Sequence, residues 1–268
     1  MKITSSNTLT SINSVVSAVG AIGAITILTC VTQTTAHAQV LANEITTRIG
    51  HLEWDIHEVT IGTVKKYASA TGFVSSGEKE GGSFIYEAGW TRKKDWTWRT
   101  PFGVAAKDNE PAVHLNFYEA KAICAFFGKR LPTDSEWTTA AFTEQRTSPT
   151  QPFIKGKKYT YANGDTPKHS HCLNGCAGLK GTAPEGSLWR GTGHVPVMTT
   201  QAGVNGLFDM GGNVWEWIDT KSGSEQITRG ASWWYGPENQ LESNHILFPR
   251  RRASIPGWMR WSKALVAR

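Results

Sequence analysis

The stretch Asp209–Trp217, DMGGNVWEW, constrains this chain more than any other. Two adjacent glycines argue against a helix or strand interior, because glycine is favoured only where the backbone needs a positive φ or a close approach. Glu216 stands between Trp215 and Trp217. A carboxylate flanked by indoles is expensive to bury unless a partner or a metal ion compensates its charge. The stretch therefore reads as a built loop with tryptophans packed around it. The chain has 12 tryptophans and 27 glycines among its 268 residues, which fits a loop-rich domain held by aromatic clusters and bound ions.

Before that domain comes a segment with the pattern of an export signal. Lys2 precedes a mostly apolar run, Val15–Val31, and Ala36-His37-Ala38 supplies an A-x-A cleavage pattern. The alternative is an uncleaved anchor, but a run of about 17 residues rich in small side chains is close to the lower limit for spanning a bilayer. The expectation is a signal peptide over residues 1–38 and a single domain over 39–268, periplasmic or secreted, with no stable membrane span after cleavage.

The formal net charge of +6 is dispersed, with short clusters at Arg92-Lys93-Lys94 and Arg250-Arg251-Arg252. Without a long basic run or a basic helical stripe, nucleic acid is not an expected partner. Past the signal, three cysteines remain. Cys172 and Cys176 are spaced to close a short disulfide loop in an oxidising compartment, or to bind a metal with His169 and His171 nearby. Cys124 falls within an apolar helical pattern, as a buried thiol would.

Periodicity suggests a strand within residues 51–62 and a helix after it that ends at Gly72. Residues 74–110, with Trp90, Trp96 and Trp98, read as a long loop. A short strand near Val113 should precede a helix starting at Asn116, with Ala120, Ile123, Cys124 and Phe127 on one face and Gly128 as its stop. Thr133 and Glu136 make a capping box for a further helix. Residues 145–200 are turn-rich, the stretches around Trp217 and Thr228 form a loop–strand pair, and little regular pattern follows Trp234. The class is α+β.

Five stretches occur in order: HEVTIGTVKKYASATGF, PAVHLNFYEAKAICAFFGKRLPTDSEW, GTAPEGS, GLFDMGGNVWEWID and RGASW. Together they resemble the sulfatase-modifying factor family, the formylglycine-generating enzymes and their relatives, from about Trp54 to about Trp234. The resemblance implies a loop-rich variant of the C-type lectin fold. It also implies that the glycine-and-tryptophan loop wraps a structural calcium. The side-chain oxygens of Asp209 and Glu216 and the carbonyls of Gly212 and Val214 would be its ligands, a mixture of hard oxygens that suits Ca²⁺. The other reading has both carboxylates capping a turn. A second family calcium site needs an acidic residue where Ala177 stands, although Asn174 and Gly175 still match, so one calcium is expected.

Formylglycine-generating enzymes hold copper with two thiolates, soft ligands suited to Cu(I). Ser232 matches the family's G-x-S, but the first thiolate position is Tyr235, and no cysteine follows it. The expectation is a cleft without copper. Trp215 and Ser232 match positions near the substrate groove, while Tyr235, Glu238, Glu242 and His245 fall in the segment that should line it. Tyrosine, glutamate and histidine there are candidates for proton transfer, or ordinary surface polarity.

The leading expectation is an exported family member without copper-dependent cysteine oxidation, acting on a peptide or peptide-like small molecule. Siderophore maturation is one example, since some relatives lacking the cysteine pair serve it. One alternative is a non-catalytic lectin-like binding module, with Trp233 and Trp234 among the aromatic faces it presents. Another is an oxidase with non-thiolate ligands.

Overall fold

The computed structural model describes residues 45–249, apart from 88 and 175, together with 265–266. The expected signal peptide, Arg250–Arg252 and the match at Gly175 lie outside the described residues. Within them, regular structure is sparse and arranged as three small antiparallel sheets and a few helices.

Strands β1 (Thr46–Ile49) and β2 (Leu52–Asp55) make a tight hairpin, turned at Gly50, and β8 (Leu265–Val266) pairs on the far edge of β2. Helix α1 (Ile61–Thr71) starts where the Thr60 hydroxyl accepts the Thr63 N–H and ends at Gly72, whose φ of 69° is the expected left-handed cap. Its Ile61, Val64 and Ala68 point inward at the period of a helix.

Residues 74–110 hold more order than periodicity suggested. Ser75 caps a single turn, α2 (Ser76–Lys79), and a hairpin follows, β3 (Gly82–Tyr86) with β4 (Trp90–Lys94). The alternation was hidden because β4 is largely exposed and carries WTRKK, with no apolar face to register. Residues near Val113 form no strand beyond an isolated bridge between Thr60 and Pro111.

Helices α3 (Phe117–Phe126) and α4 (Asp134–Phe142) begin at capping boxes, Asn116 with Glu119 and Thr133 with Glu136. Ala120, Ile123, Cys124 and Phe127 are all buried. Strands β5 (Glu216–Ser222) and β6 (Glu225–Arg229) are the loop–strand pair, and β7 (Ile246–Pro249) adds to the other edge of β6. β7 was missed because it is four residues long and interrupted by no turn signal.

The core gathers β1, β2, α4, β5 and β6 around Leu52, Trp54, Trp137, Phe142, Met210 and Ile218. Inside it, Lys129 and Asp55 form an ion pair of 2.5 Å with both side chains almost wholly buried, and burial lowers the ammonium pKa to about 8. The fold places the DMGGNVWEW loop at the N-terminal end of β5, against α4 and the turn-rich residues 145–200. Among the described residues, no helix is long and apolar enough to cross a membrane.

Candidate functional site

The glycine loop takes its shape from three departures to positive φ: Asp209 at 55°, Gly212 at 87° and Asn213 at 50°. A side chain at Gly212 would place its Cβ 2.4 Å from the His171 carbonyl oxygen, so only glycine fits. Backbone bonds fix the loop on two sides. Gly212 N–H donates to the Gly230 carbonyl at 2.7 Å, and Asn213 N–H to the His171 carbonyl at 2.8 Å. The Asn213 carbonyl in turn accepts the Trp233 N–H at 2.9 Å.

Asn213 also works through its side chain. Its Oδ1 accepts the Val195 N–H at 2.9 Å and its Nδ2 donates to Glu58 Oε1 at 3.0 Å, all within the buried interior. This bond joins the start of the domain to the glycine loop. Nothing local marks Glu58 as a member of the site, because its partner lies 155 positions away.

Asp209 and Glu216 are both buried, at 1% and 0% exposure. Asp209 Oδ1 accepts the Thr200 hydroxyl at 2.7 Å. Glu216 Oε2 accepts the indole N–H of Trp137 on α4. Arg229 faces Glu216 across β5 and β6, yet its guanidinium is directed at Asp134, at 2.6 and 2.7 Å, and at the carbonyls of Glu242 and Asn244. Two buried carboxylates in one loop are hard-oxygen donors of the kind a calcium ion takes. Among the described residues, no three His, Cys, Asp or Glu side chains gather as a metal site of their own.

Trp215 is fully buried, and its ring meets Tyr235 edge-on with centroids 5.5 Å apart. Tyr235 N–H donates to the Ser232 carbonyl at 3.1 Å, so Trp215, Ser232 and Tyr235 are brought together. The Trp215 indole N–H and the Ser232 hydroxyl are buried and have no hydrogen-bond partner in the protein. The other candidates diverge from this group. Glu238 is exposed on a short 3₁₀ turn and bonds Asn239 at 2.8 Å. Glu242 pairs with Lys158 at 2.6 Å, and His245 is exposed.

Cys172 and Cys176 form a disulfide, with Cα atoms 5.6 Å apart, rather than a thiolate metal site. His171 Nε2 donates instead to the Gly193 carbonyl at 2.9 Å, and His169 is exposed with a φ of 72°. Cys124 is a buried free thiol whose ionisation burial pushes far up. Behind the loop, His194 Nε2 donates to Glu110 Oε2 at 3.0 Å. Burial holds the His194 pKa down against that carboxylate. Burial pushes Glu110 up, but hydrogen bonds from His194, the Lys107 N–H and Thr182 outweigh it and leave its pKa lowered. His114, wholly buried, donates to the Pro101 carbonyl at 3.0 Å, and burial lowers its pKa to about 4.

This architecture, a loop-rich α+β domain with a glycine-and-tryptophan loop leading into a short sheet, is the formylglycine-generating enzyme type of the C-type lectin fold. PvdO from Pseudomonas aeruginosa has the same fold, with a TM-score of 0.51 at 15% identity over 80% of this chain and 79% of that one. CarF does too, with a TM-score of 0.50 at 18% identity over 80% and 85%. The chain belongs to the family described as "Sulfatase-modifying factor enzyme 1-like domain", whose model matches residues 26–256.

Among relatives, the formylglycine-generating enzyme of Thermomonospora curvata is 27% identical over 222 residues, 74% of this chain and 65% of its own length. The mouse formylglycine-generating enzyme is 28% identical over 188 residues, 61% and 47%. The "Inactive C-alpha-formylglycine-generating enzyme 2" of Bos taurus is 33% identical over 144 residues, 51% and 44%. The chain thus spans about half to two thirds of the length of these relatives.

Proposed function

We propose that this protein is an exported member of the family that works without the copper–dithiolate centre and modifies a peptide or peptide-like small molecule in the groove at Trp215, Ser232 and Tyr235. Siderophore maturation is one setting for such a reaction. The observation that carries this reading is Tyr235, packed on Trp215 where the first thiolate would stand. Beside it the buried Trp215 N–H and Ser232 hydroxyl have no protein partner, which is the usual mark of a water or ligand contact. A tyrosine at that position supplies a phenol for proton transfer or hydrogen bonding in place of a soft metal ligand. Relatives named as active and as inactive enzymes fall within the same family, so loss of the oxidase chemistry is compatible with keeping the scaffold.

One structural calcium accompanies this reading. Asp209 and Glu216 would hold it through carboxylates, and Gly212 and Val214 through carbonyls. When bound, it neutralises buried negative charge and fixes the turn that leads into Trp215. A second reading, a non-catalytic binding module, draws on Trp189. That side chain is 65% exposed and stands edge-on to Trp234 at 5.8 Å, an aromatic face available to a partner.

The test is metal analysis of the purified exported protein, together with incubation of that protein, with added copper, with a cysteine-bearing sulfatase-type peptide. The expected result is calcium without copper and no aldehyde on the peptide. Near-stoichiometric copper, or formylglycine formation, overturns the reading and points to an oxidase with non-thiolate ligands.

A further inference from the structure

The ring closed by Cys172 and Cys176 occupies a particular place between two other segments. On one side, the carbonyl of His171, next to Cys172, accepts the Asn213 N–H at 2.8 Å, and residue 171 bridges Gly212 in parallel register. On the other side, Leu173 N–H, inside the ring, donates to the Tyr235 carbonyl at 3.0 Å. Cys176 Sγ accepts the Ser170 hydroxyl at 3.0 Å and lies 3.6 Å from Gln240 Nε2. The ring therefore contacts both the glycine loop and the segment from Tyr235 to Gln240.

We propose that the Cys172–Cys176 ring positions the Tyr235 edge of the groove, and that reducing it with a dithiol releases that edge while the rest of the domain stays folded. This extends the groove reading above, but the test reads the backbone amides around Tyr235, so it stands apart from any activity. In the reaction, one thiolate of the dithiol attacks a ring sulfur and forms a mixed disulfide. The second thiolate then displaces the protein sulfur. The reductant ends as its own disulfide, and two electrons and two protons leave Cys172 and Cys176 as free thiols.

The consequence follows from chain freedom. Leu173 N–H points at the Tyr235 carbonyl because a closed ring of five residues has few conformations. Once open, residues 172–176 regain theirs, and a single neutral hydrogen bond is a weak restraint against that freedom. Tyr235 keeps its ring contact with Trp215 but loses the bond that fixes its carbonyl. The main core is built from other elements, with α4 and Trp54 at its centre, and does not include the ring.

Amide hydrogen exchange of the folded full-length protein, read by mass spectrometry with and without dithiothreitol, tests this. The expected result on reduction is about tenfold faster exchange in peptides covering residues 232–241, with α4 peptides (Asp134–Phe142) unchanged, the pattern of a local opening. Unchanged exchange at 232–241 overturns the proposal, and so does equal acceleration of α4, which would mean that the ring holds the whole domain. A Leu173→Pro variant keeps both cysteines and removes the donor N–H, while also fixing φ at that position. It should show the same local acceleration with the disulfide intact, and normal exchange at 232–241 in that variant also overturns the proposal.

Discussion

Tyr235 meets Trp215 edge-on, with ring centroids 5.5 Å apart and planes at 81°. By the resemblance, Tyr235 corresponds to the family's first copper thiolate, and the position five residues on is Gln240, which is buried. The double variant Tyr235→Cys with Gln240→Cys should acquire one tightly held Cu(I), because two thiolates make a soft site. The wild type should hold none. Competition titration against a Cu(I) chromophore measures the difference, and a double variant that folds yet binds no copper shows that the groove lies elsewhere.

Calcium at the glycine loop should be visible as stability. A ligand present at ~100 times its Kd adds ~2.7 kcal/mol to the folded state. For a domain of this size that is a shift of about 5–10 °C in Tm. A calcium chelator is expected to lower the Tm by that order, and Glu216→Gln should abolish the dependence. A Tm indifferent to chelation means that Asp209 and Glu216 only cap the turn.

His114 gives the protein an acid limit. Its pKa is depressed from 6.5 to about 4 by burial, so the folded state holds it neutral while the unfolded state protonates it first. The stability it contributes is present above pH 6.5 and is lost as pH falls towards 4, amounting to ~3 kcal/mol. The lowered pKa values of His171 and His194 act in the same direction. Thermal melts from pH 7 to pH 4 should show this fall, and His114→Gln should flatten it; parallel profiles for variant and wild type would assign the fall to other groups.

Both side chains of the Lys129–Asp55 pair are almost wholly buried. Lys129→Met alone should cost about 3–5 kcal/mol, since it removes the ammonium paired with a buried carboxylate. Adding Asp55→Asn should restore much of that loss. Urea denaturation of the two variants gives the comparison, and equal stability of single and double variants would show that Asp55 finds another cation.

What the sequence disclosed follows from the range of its signals. The helix start at Asn116, the capping box at Thr133 and the left-handed cap at Gly72 are local, and each stands where its pattern placed it. The β3–β4 hairpin was invisible because Trp90–Lys94 faces solvent and lacks alternation. The close spacing of Cys172 and Cys176 pointed to a bond, whereas the contact of Leu173 with Tyr235 crosses more than sixty residues and leaves no local trace. The loop from Asp209 to Glu216 was legible in its own residues, whose glycines and buried carboxylates stand out locally. Its supports, Glu58, Thr200 and Trp137, belong to other elements and depend on the fold to reach it.

The bond from Asn213 to Glu58 also governs when the loop can take shape. A growing polypeptide that has passed Glu58 must extend by 155 further positions before this partner exists. Until then Glu58 is a carboxylate held in water, and the early hairpin and helix have no interior to close around it. Contacts so distant in sequence come late and slowly on a folding pathway. The glycine loop is therefore among the last parts of the domain to mature, and a chain cut anywhere between these two residues lacks one side of this buried bond.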